Sequence, residues 1–420
     1  MKKSEIKRGL AFLLSGSLAL AALSLPVASK VLVAPLTKEQ WQQDLQYLAK
    51  ELPRRHKNAF HTVTQAQFER AVTELSAAIP SLQEHEIRIG LQRIVAMVGD
   101  AHTATAPPTM FHRYPLTLYW FGEDLRVLRT IAGYTRALGA RVVGVNGLSL
   151  AEVTSRVNTL IPHENDQFVR YSNVNYIPLA EVLHALKIAP DLQRAQWTFA
   201  DAEGRPFSLE MQAVALDAKV DWLSTLKEAP LYRQRLNELI WFTALPDPQT
   251  VYLCLRAYPD KDTFERVSGA LLKLVDDSHP KRLLIDVRQS NGGDFLKFRK
   301  FVLKELKQRP AFSKPGSLYV IIGRGTISAA VVNVIDLRNE MNAVVVGEPS
   351  GSKPNNYSEN DEFTLPNSRI EVSYSTRYYK LQDQDTQALM PDKLIEPSWE
   401  LYPTGRDPAL EWILAQPLGK

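Results

Sequence analysis

"SLYVIIGRGTISAAVVNVIDLR", residues 317 to 338, is the stretch whose reading decides the fold. An uncharged run, Leu318 to Ile322, has the pattern of a strand buried on both faces, and "SAAVVNVIDLR" reads as an apolar helix. Between them lie Gly323, Arg324 and Gly325 and a small trio, Thr326, Ile327 and Ser328. A buried strand that hands over to a helix is the unit of an α/β layer. In such sheets functional groups gather where strands end, because the loops there meet solvent and helix N-termini offer free N–H donors. A serine at that turn can also be a plain N-cap. Its company has to separate the two readings.

Working outward, "TVYLCLRAY" (250–258), "RLLIDVR" (282–288) and "NAVVVG" (342–347) repeat the buried-strand pattern. They alternate with the helical runs "DTFERVSGALLKLVDD" and "GDFLKFRKFVLKELKQ", and "DPALEWILAQ" reads as a closing helix. Residues 217–420 are therefore expected to form an α/β layered core on a largely parallel sheet. Residues 30–105 form a helical region: "TKEQWQQDLQYLAKELPRRHKNAF", "TQAQFERAVTELSAAI" and "LQEHEIRIGLQRIVAMVG" carry apolar residues at three- and four-residue spacing, with Thr and Ser placed as caps. Residues 106–216 are mixed α+β. "YPLTLYWFGEDLRVLRTI" reads as paired strands, and "ALGARVVGVNGLSLAEVTSRV" as strand, Asn-Gly turn and helix.

Composition narrows the classes. The 420 residues are 45% hydrophobic, enough for one large or several ordinary domains with real cores. The formal charge is +4, of which Lys2, Lys3, Lys7 and Arg8 against Glu5 supply +3, leaving +1 for the rest. With so little charge outside the first residues, nucleic-acid binding has no electrostatic support. Residues 1–29 read as an export signal, a basic start followed by "GLAFLLSGSLALAALSLPVAS", with an uncleaved membrane anchor as the alternative. Either form puts the remainder outside the cytoplasm, periplasmic, secreted or membrane-tethered, and membrane contact is expected only through an uncleaved leader. The single cysteine, Cys254, alternates like a core strand residue and has no internal partner. The eight histidines make no HExxH pattern and one cysteine cannot build a zinc site, so no metal or other cofactor is expected. A phosphate-cradling glycine loop is missing too.

Three further segments keep Ser328 company. "RLLIDVRQSNGGDF" (282–295) ends a strand in Asp286, Val287 and Arg288 and then places Gly292-Gly293, a pair free to adopt positive φ and to aim amides at an anion. "MVGDAHTAT" (97–105) puts His102 in a loop behind Gly99 and Asp100. "VVVGEPSGSKPNNYSEN" (344–360) ends another strand in a glycine-rich loop with Glu348 and Lys353. With the late "MPD" at 390–392, these segments in this order resemble the S41 family of serine peptidases, the tail-specific or C-terminal processing proteases and the related tricorn core. The resemblance covers most of the chain after the leader. It implies a ClpP- and crotonase-like layered α/β core, in agreement with the periodicity.

What the resemblance implies for the site can be carried over position by position. Ser328 matches the nucleophile. Ala329 would supply one backbone N–H of the oxyanion hole and Gly292 or Gly293 the other. The base is open between two residues: His102, as in the tricorn-like branch, which the opening region favours, or Lys353, as in the tail-specific branch. The acid of a His102 triad would be Asp385, in "QDQDTQALMPD", with Glu359 in "YSEND" competing. The sequence departs from the family in carrying Ser290 where the glycine turn usually has Asn. The region 106–216 resembles a degenerate PDZ-like groove, with a bridging α+β insert as the alternative.

Two functions remain. One is an exported serine endopeptidase that cuts extended or unfolded polypeptide through an acyl-enzyme on Ser328. The other is a catalytically inactive protein on the same scaffold that binds a peptide or an apolar ligand.

Overall fold

Strands without a polar face need cover on both sides, and the chain supplies it. In the computed structural model, which describes residues 35–106, 111–246 and 249–418, Thr250–Leu255, Arg282–Asp286 and Leu318–Ile322 are buried at every position. They sit inside a six-stranded sheet whose spatial order is Ile240–Ala244, Thr250–Leu255, Arg282–Asp286, Leu318–Ile322, Val344–Gly347 and Lys393–Leu394. The first pair is antiparallel and every later pair parallel. On one face Leu283, Ile285, Val320 and Ile322 pack under the helices Lys261–Ser278 and Ala329–Met341, through Phe264, Leu271, Val331 and Leu337. Phe298 and Leu306 join that layer from a helical stretch interrupted by a π turn at Arg299–Leu303. On the other face Tyr252, Cys254, Leu284, Tyr319 and Ile321 meet Ala409 and Ile413 of the closing helix Pro408–Leu414. Cys254 is a buried core residue. Helices thus cover both faces of a mostly parallel sheet, the architecture expected of such runs.

The middle of the chain builds a second sheet around its own core of Val127, Val142, Ile177, Leu183, Trp197 and Phe199. Its strands are antiparallel throughout. Asn146 at φ 49° and Gly147 at φ 80° form the tight turn that the Asn-Gly pair calls for. The helix Leu150–Asn158 follows, capped by Ser149.

The N-terminal helices Lys38–Arg55 and Gln65–Ala78 start on capping boxes at Thr37 and Thr64. With Glu84–Ala96 they bury Trp41, Leu45, Leu48, Phe68, Ile87 and Leu91. This core is closed by residues from far along the chain. Phe363, Leu365, Val372 and Tyr374, from the hairpin Asn356–Thr364 and Glu371–Tyr379, complete it. The stretch 217–420 therefore does not pack only on itself, because its hairpin reaches out to the helices. The leader read from residues 1–29 lies outside the described residues. Among those described, no helix is long and apolar enough to cross a membrane.

Candidate active site

Ser328 stands between the strand Leu318–Ile322 and the helix Ala329–Met341, at φ 56° and ψ −125°, a backbone conformation that side chains other than glycine rarely accept. Its surroundings force that conformation. Thr326, wholly buried, donates its hydroxyl to the Val287 carbonyl at 2.8 Å and accepts from the Gly323 amide at 3.0 Å. Ile327 donates its amide to the Ser290 carbonyl at 3.0 Å and packs its side chain among Ile161, Phe168 and Val169. The Ser328 amide points to the Ser352 hydroxyl at 3.2 Å. Ser328 does not act as an N-cap, since its side chain bonds no helix amide. Its hydroxyl sits free at the start of the helix.

The glycine turn backs directly onto this serine. A Cβ on Gly292, at φ 89°, would stand 2.7 Å from the Ser328 Cβ and 3.1 Å from its Oγ, and one on Gly293 would strike Tyr258 at 2.7 Å. Only glycine fits. Among the described residues the amides of Gly292, Gly293 and Ala329 donate to no backbone carbonyl. Unpaired N–H groups from two neighbouring strand ends beside a serine hydroxyl can stabilise an oxyanion, an effect of about 3 kcal/mol per donor where it has been measured. Below the turn, Arg288 is pinned between Asp286 and Asp407, and Arg324 pairs with Glu348 at 2.8 Å. Asp286, Arg288 and Glu348 therefore belong to the floor of the site.

His102 enters from the N-terminal helices on a loop that the hairpin holds. Ala104 and Ser373 exchange backbone hydrogen bonds, and Ser373 Oγ donates to the His102 carbonyl at 2.9 Å. Asp100, fully buried, accepts from His56 Nε2 at 2.7 Å, from Ser375 Oγ at 2.8 Å and from the His102 amide at 3.0 Å. The Asn58 amide points at His56 Nδ1, which puts that ring's proton on Nε2, toward Asp100. Burial pushes the Asp100 carboxyl up, but the His56 and Ser375 hydrogen bonds and the neighbouring imidazoles hold it below its usual value. His102 Nε2 lies 3.2 Å from Ser358 Oγ, while its Nδ1 is buried without a hydrogen-bond partner. Burial lowers the His102 pKa, against the pull of Asp100, the Tyr357 carbonyl and Glu359. A neutral imidazole suits a base.

Ala101 and Ile327, the residues just before His102 and Ser328, share one apolar cluster, so the two loops face the same site. No hydrogen bond joins Ser328 to His102 in this structure, where Ser358 occupies Nε2. The expected acids are engaged with other partners. Asp385 pairs with Lys353 at 3.0 Å instead of His102, because the loop 350–356 folds back onto residues 382–389 through Ser350 and Asn355. Lys353 is thereby held against Asp385. Glu359, at φ 57°, sits at an unpaired step of the hairpin, opposite Thr376, and accepts from the Tyr379 hydroxyl.

Sequence reading missed three contributors: Ser358, His56 behind Asp100, and Glu164. Glu164 accepts the Ala101 amide at 2.9 Å through Oε1, and its Oε2 is buried without a partner. Burial, and then the charge of Asp100, pushes its carboxyl up to about 8. A ring nitrogen of His102 and carboxylate oxygens of Asp100 and Glu164 lie within 4.8 Å of one another, close enough to share a metal ion, although Asp100 already serves three donors. No local pattern marks Glu164. It lies in "IPHEND", a loop of the middle region.

No protein-family model and no curated protein matches this chain. Solved structures do. Mature CPAF complexed with lactacystin aligns with a TM-score of 0.60 at 11% identity over 90% of this chain and 97% of that one. Mature CPAF alone gives 0.58 at 11% over 90% and 96%. The photosystem II D1 C-terminal processing protease aligns at 0.38, with 14% identity over 89% and 99%. At these identities the likeness is one of fold, shared with mature CPAF.

Proposed function

We propose that this chain is a serine peptidase that hydrolyses extended or unfolded polypeptide through an acyl-enzyme on Ser328, with His102 as the base. The observation that carries the reading is the Ser328 turn: a strained serine with a free hydroxyl, backed by Gly292 and surrounded by unpaired amides. In the reaction, Ser328 Oγ attacks the scissile carbonyl carbon as its proton passes to His102 Nε2. The carbonyl oxygen becomes an oxyanion facing the amides of Ala329 and of Gly292 or Gly293. Collapse breaks the C–N bond, and the imidazolium gives its proton to the leaving amine. Water, deprotonated by the same imidazole, then releases the acid and restores Ser328.

In this reading the six-stranded sheet is the ClpP- and crotonase-like core, residues 106–216 are a PDZ-like or bridging insert beside the substrate path, and the protein works outside the cytoplasm. A second reading, binding of a peptide or apolar ligand without cleavage, takes support from the contact of His102 with Ser358 instead of Ser328.

A fluorophosphonate probe separates them. Labelling of the purified chain that is lost in Ser328→Ala and His102→Ala but kept in Lys353→Ala supports the peptidase. A folded wild type that never labels sinks it in favour of the binding protein.

A further inference from the structure

We propose that Glu164 is the carboxyl that positions His102 for proton transfer, its free Oε2 accepting a hydrogen bond from Nδ1–H so that Nε2 is left to receive the proton of Ser328. The inference rests on the peptidase reading for its purpose, though not for its geometry.

Four carboxyl groups are candidates to serve the imidazole, and three are spent on other partners. Asp100 answers His56, Ser375 and the His102 amide. Asp385 belongs to Lys353 and Glu359 to Tyr379. Glu164 is anchored through Oε1 to the amide of Ala101, one residue before His102. Its Oε2 and His102 Nδ1 are both buried and both unpaired. Other carboxylate oxygens buried without a hydrogen bond, on Glu348 and Asp407, face arginines in ion pairs. Among the described residues Glu164 alone keeps a buried carboxylate oxygen with neither kind of partner. Buried polar atoms left unmatched are rare, and a ring nitrogen of His102 lies within 4.8 Å of a carboxylate oxygen of Glu164. The ring is also turned the right way, since Nε2 is the atom that meets a hydroxyl, that of Ser358.

The segment that carries Glu164 touches every other loop of the site. Asn165 donates to the carbonyls of Ser350 at 3.2 Å and Gln387 at 2.8 Å. Phe168 and Val169 pack on Ile327, and the Tyr171 hydroxyl donates to Asn291 at 3.0 Å, beside the glycine turn. A carboxyl on this segment moves with the nucleophile turn and the glycine turn.

Proton state decides how Glu164 acts. Below pH about 8 it keeps its own proton, which turns it into a donor toward Nδ1 and favours the tautomer whose Nε2 is already protonated. Once ionised it accepts from Nδ1–H. The charged groups that face the pair are Asp100 with His56 behind it, Lys353, and Glu359 from the hairpin.

The test is side-chain nitrogen NMR of the chain labelled with ¹⁵N-histidine, with His102 assigned through His102→Gln. The expected result is a growing Nδ1–H population as pH rises through about 8 in the wild type, absent in Glu164→Gln and kept in Asp385→Asn. Fluorophosphonate labelling of Glu164→Gln should be about 10² to 10⁴ times slower, with its rise moved to lower pH and partly rescued in Glu164→Asp. A His102 titration unchanged in Glu164→Gln, or abolished in Asp385→Asn instead, overturns the proposal. The NMR reads the imidazole without turnover, so a wild type that never labels removes the peptidase reading while the pairing is still decided.

Discussion

Ser328 is held by the sheet it emerges from: Thr326 on Val287, Ile327 on Ser290, and Gly292 against its back. His102 is held by segments scattered along the chain, with Ser373 and Ser375 of the hairpin, His56 behind Asp100, and Glu164 on Ala101. One half of the site is a product of strand ends that must lie side by side in a parallel sheet. The other half exists only where three separately packed cores meet. The difference implies that the nucleophile half is chemically sensitive and structurally robust, and that the base half is the reverse.

The sharpest way to break that comparison is Gly292→Ala. Its methyl group would collide with Ser328 at a φ reserved for glycine. Labelling should fall about 10³-fold, as when oxyanion donors are lost, and the melt should show a loss of about 1–3 kcal/mol. A variant that labels normally would mean that the amides are not aimed at the reacting carbonyl. On the base side, Leu365→Ala empties a wholly buried position under the hairpin. It should cost about 2–5 kcal/mol in urea unfolding, and exchange of the Ala104 amide should accelerate. Unchanged exchange would show that the base loop stands without the hairpin core.

Glu164 sharpens the contrast through pH. Its carboxyl titrates near 4.5 when unfolded and about 8 when folded, so between these values the native state keeps a proton that the unfolded state has released. Stability therefore falls as pH rises through that window and is level above it. Glu164→Gln removes the penalty, and its urea midpoint should equal that of the wild type near pH 4 and exceed it above pH 8. The expected gain is a few kcal/mol, at about 1.4 kcal/mol per pH unit. A variant that is more stable yet slower to label would mark a group kept for chemistry. The smallest effect belongs to Ser358→Ala. It frees Nε2 at little structural cost and should change the labelling rate less than about threefold, since one neutral hydrogen bond contributes about 1 kcal/mol or less. A collapse of labelling would make Ser358 part of the machinery.

The same contrast explains what the sequence could show. Buried strands announce themselves by composition, so the parallel sheet, the helices on both its faces and the Ser328 turn were all legible, as was the Asn146-Gly147 turn. His102 was visible through its loop, flanked by Gly99 and Asp100. Its partner was not, because Glu164 enters from the middle region and nothing in chain spacing predicts that contact. Asp385 and Lys353 were each visible as candidates, yet their ion pair depends on how two loops fold back on each other. The hairpin was hidden for a related reason: its apolar residues Phe363, Leu365, Val372 and Tyr374 face helices that lie hundreds of residues earlier.

That hairpin also sets an order in time. A growing chain emerges with the helices and His102 first, Ser328 much later, and Ser373 and Ser375 later still. Until those last serines arrive, Asp100 lacks one of its donors and the loop carrying the imidazole has no strand to lie on. A half-made chain therefore holds Ser328 without a seated His102, and the two halves of the site come together only once the hairpin has been made.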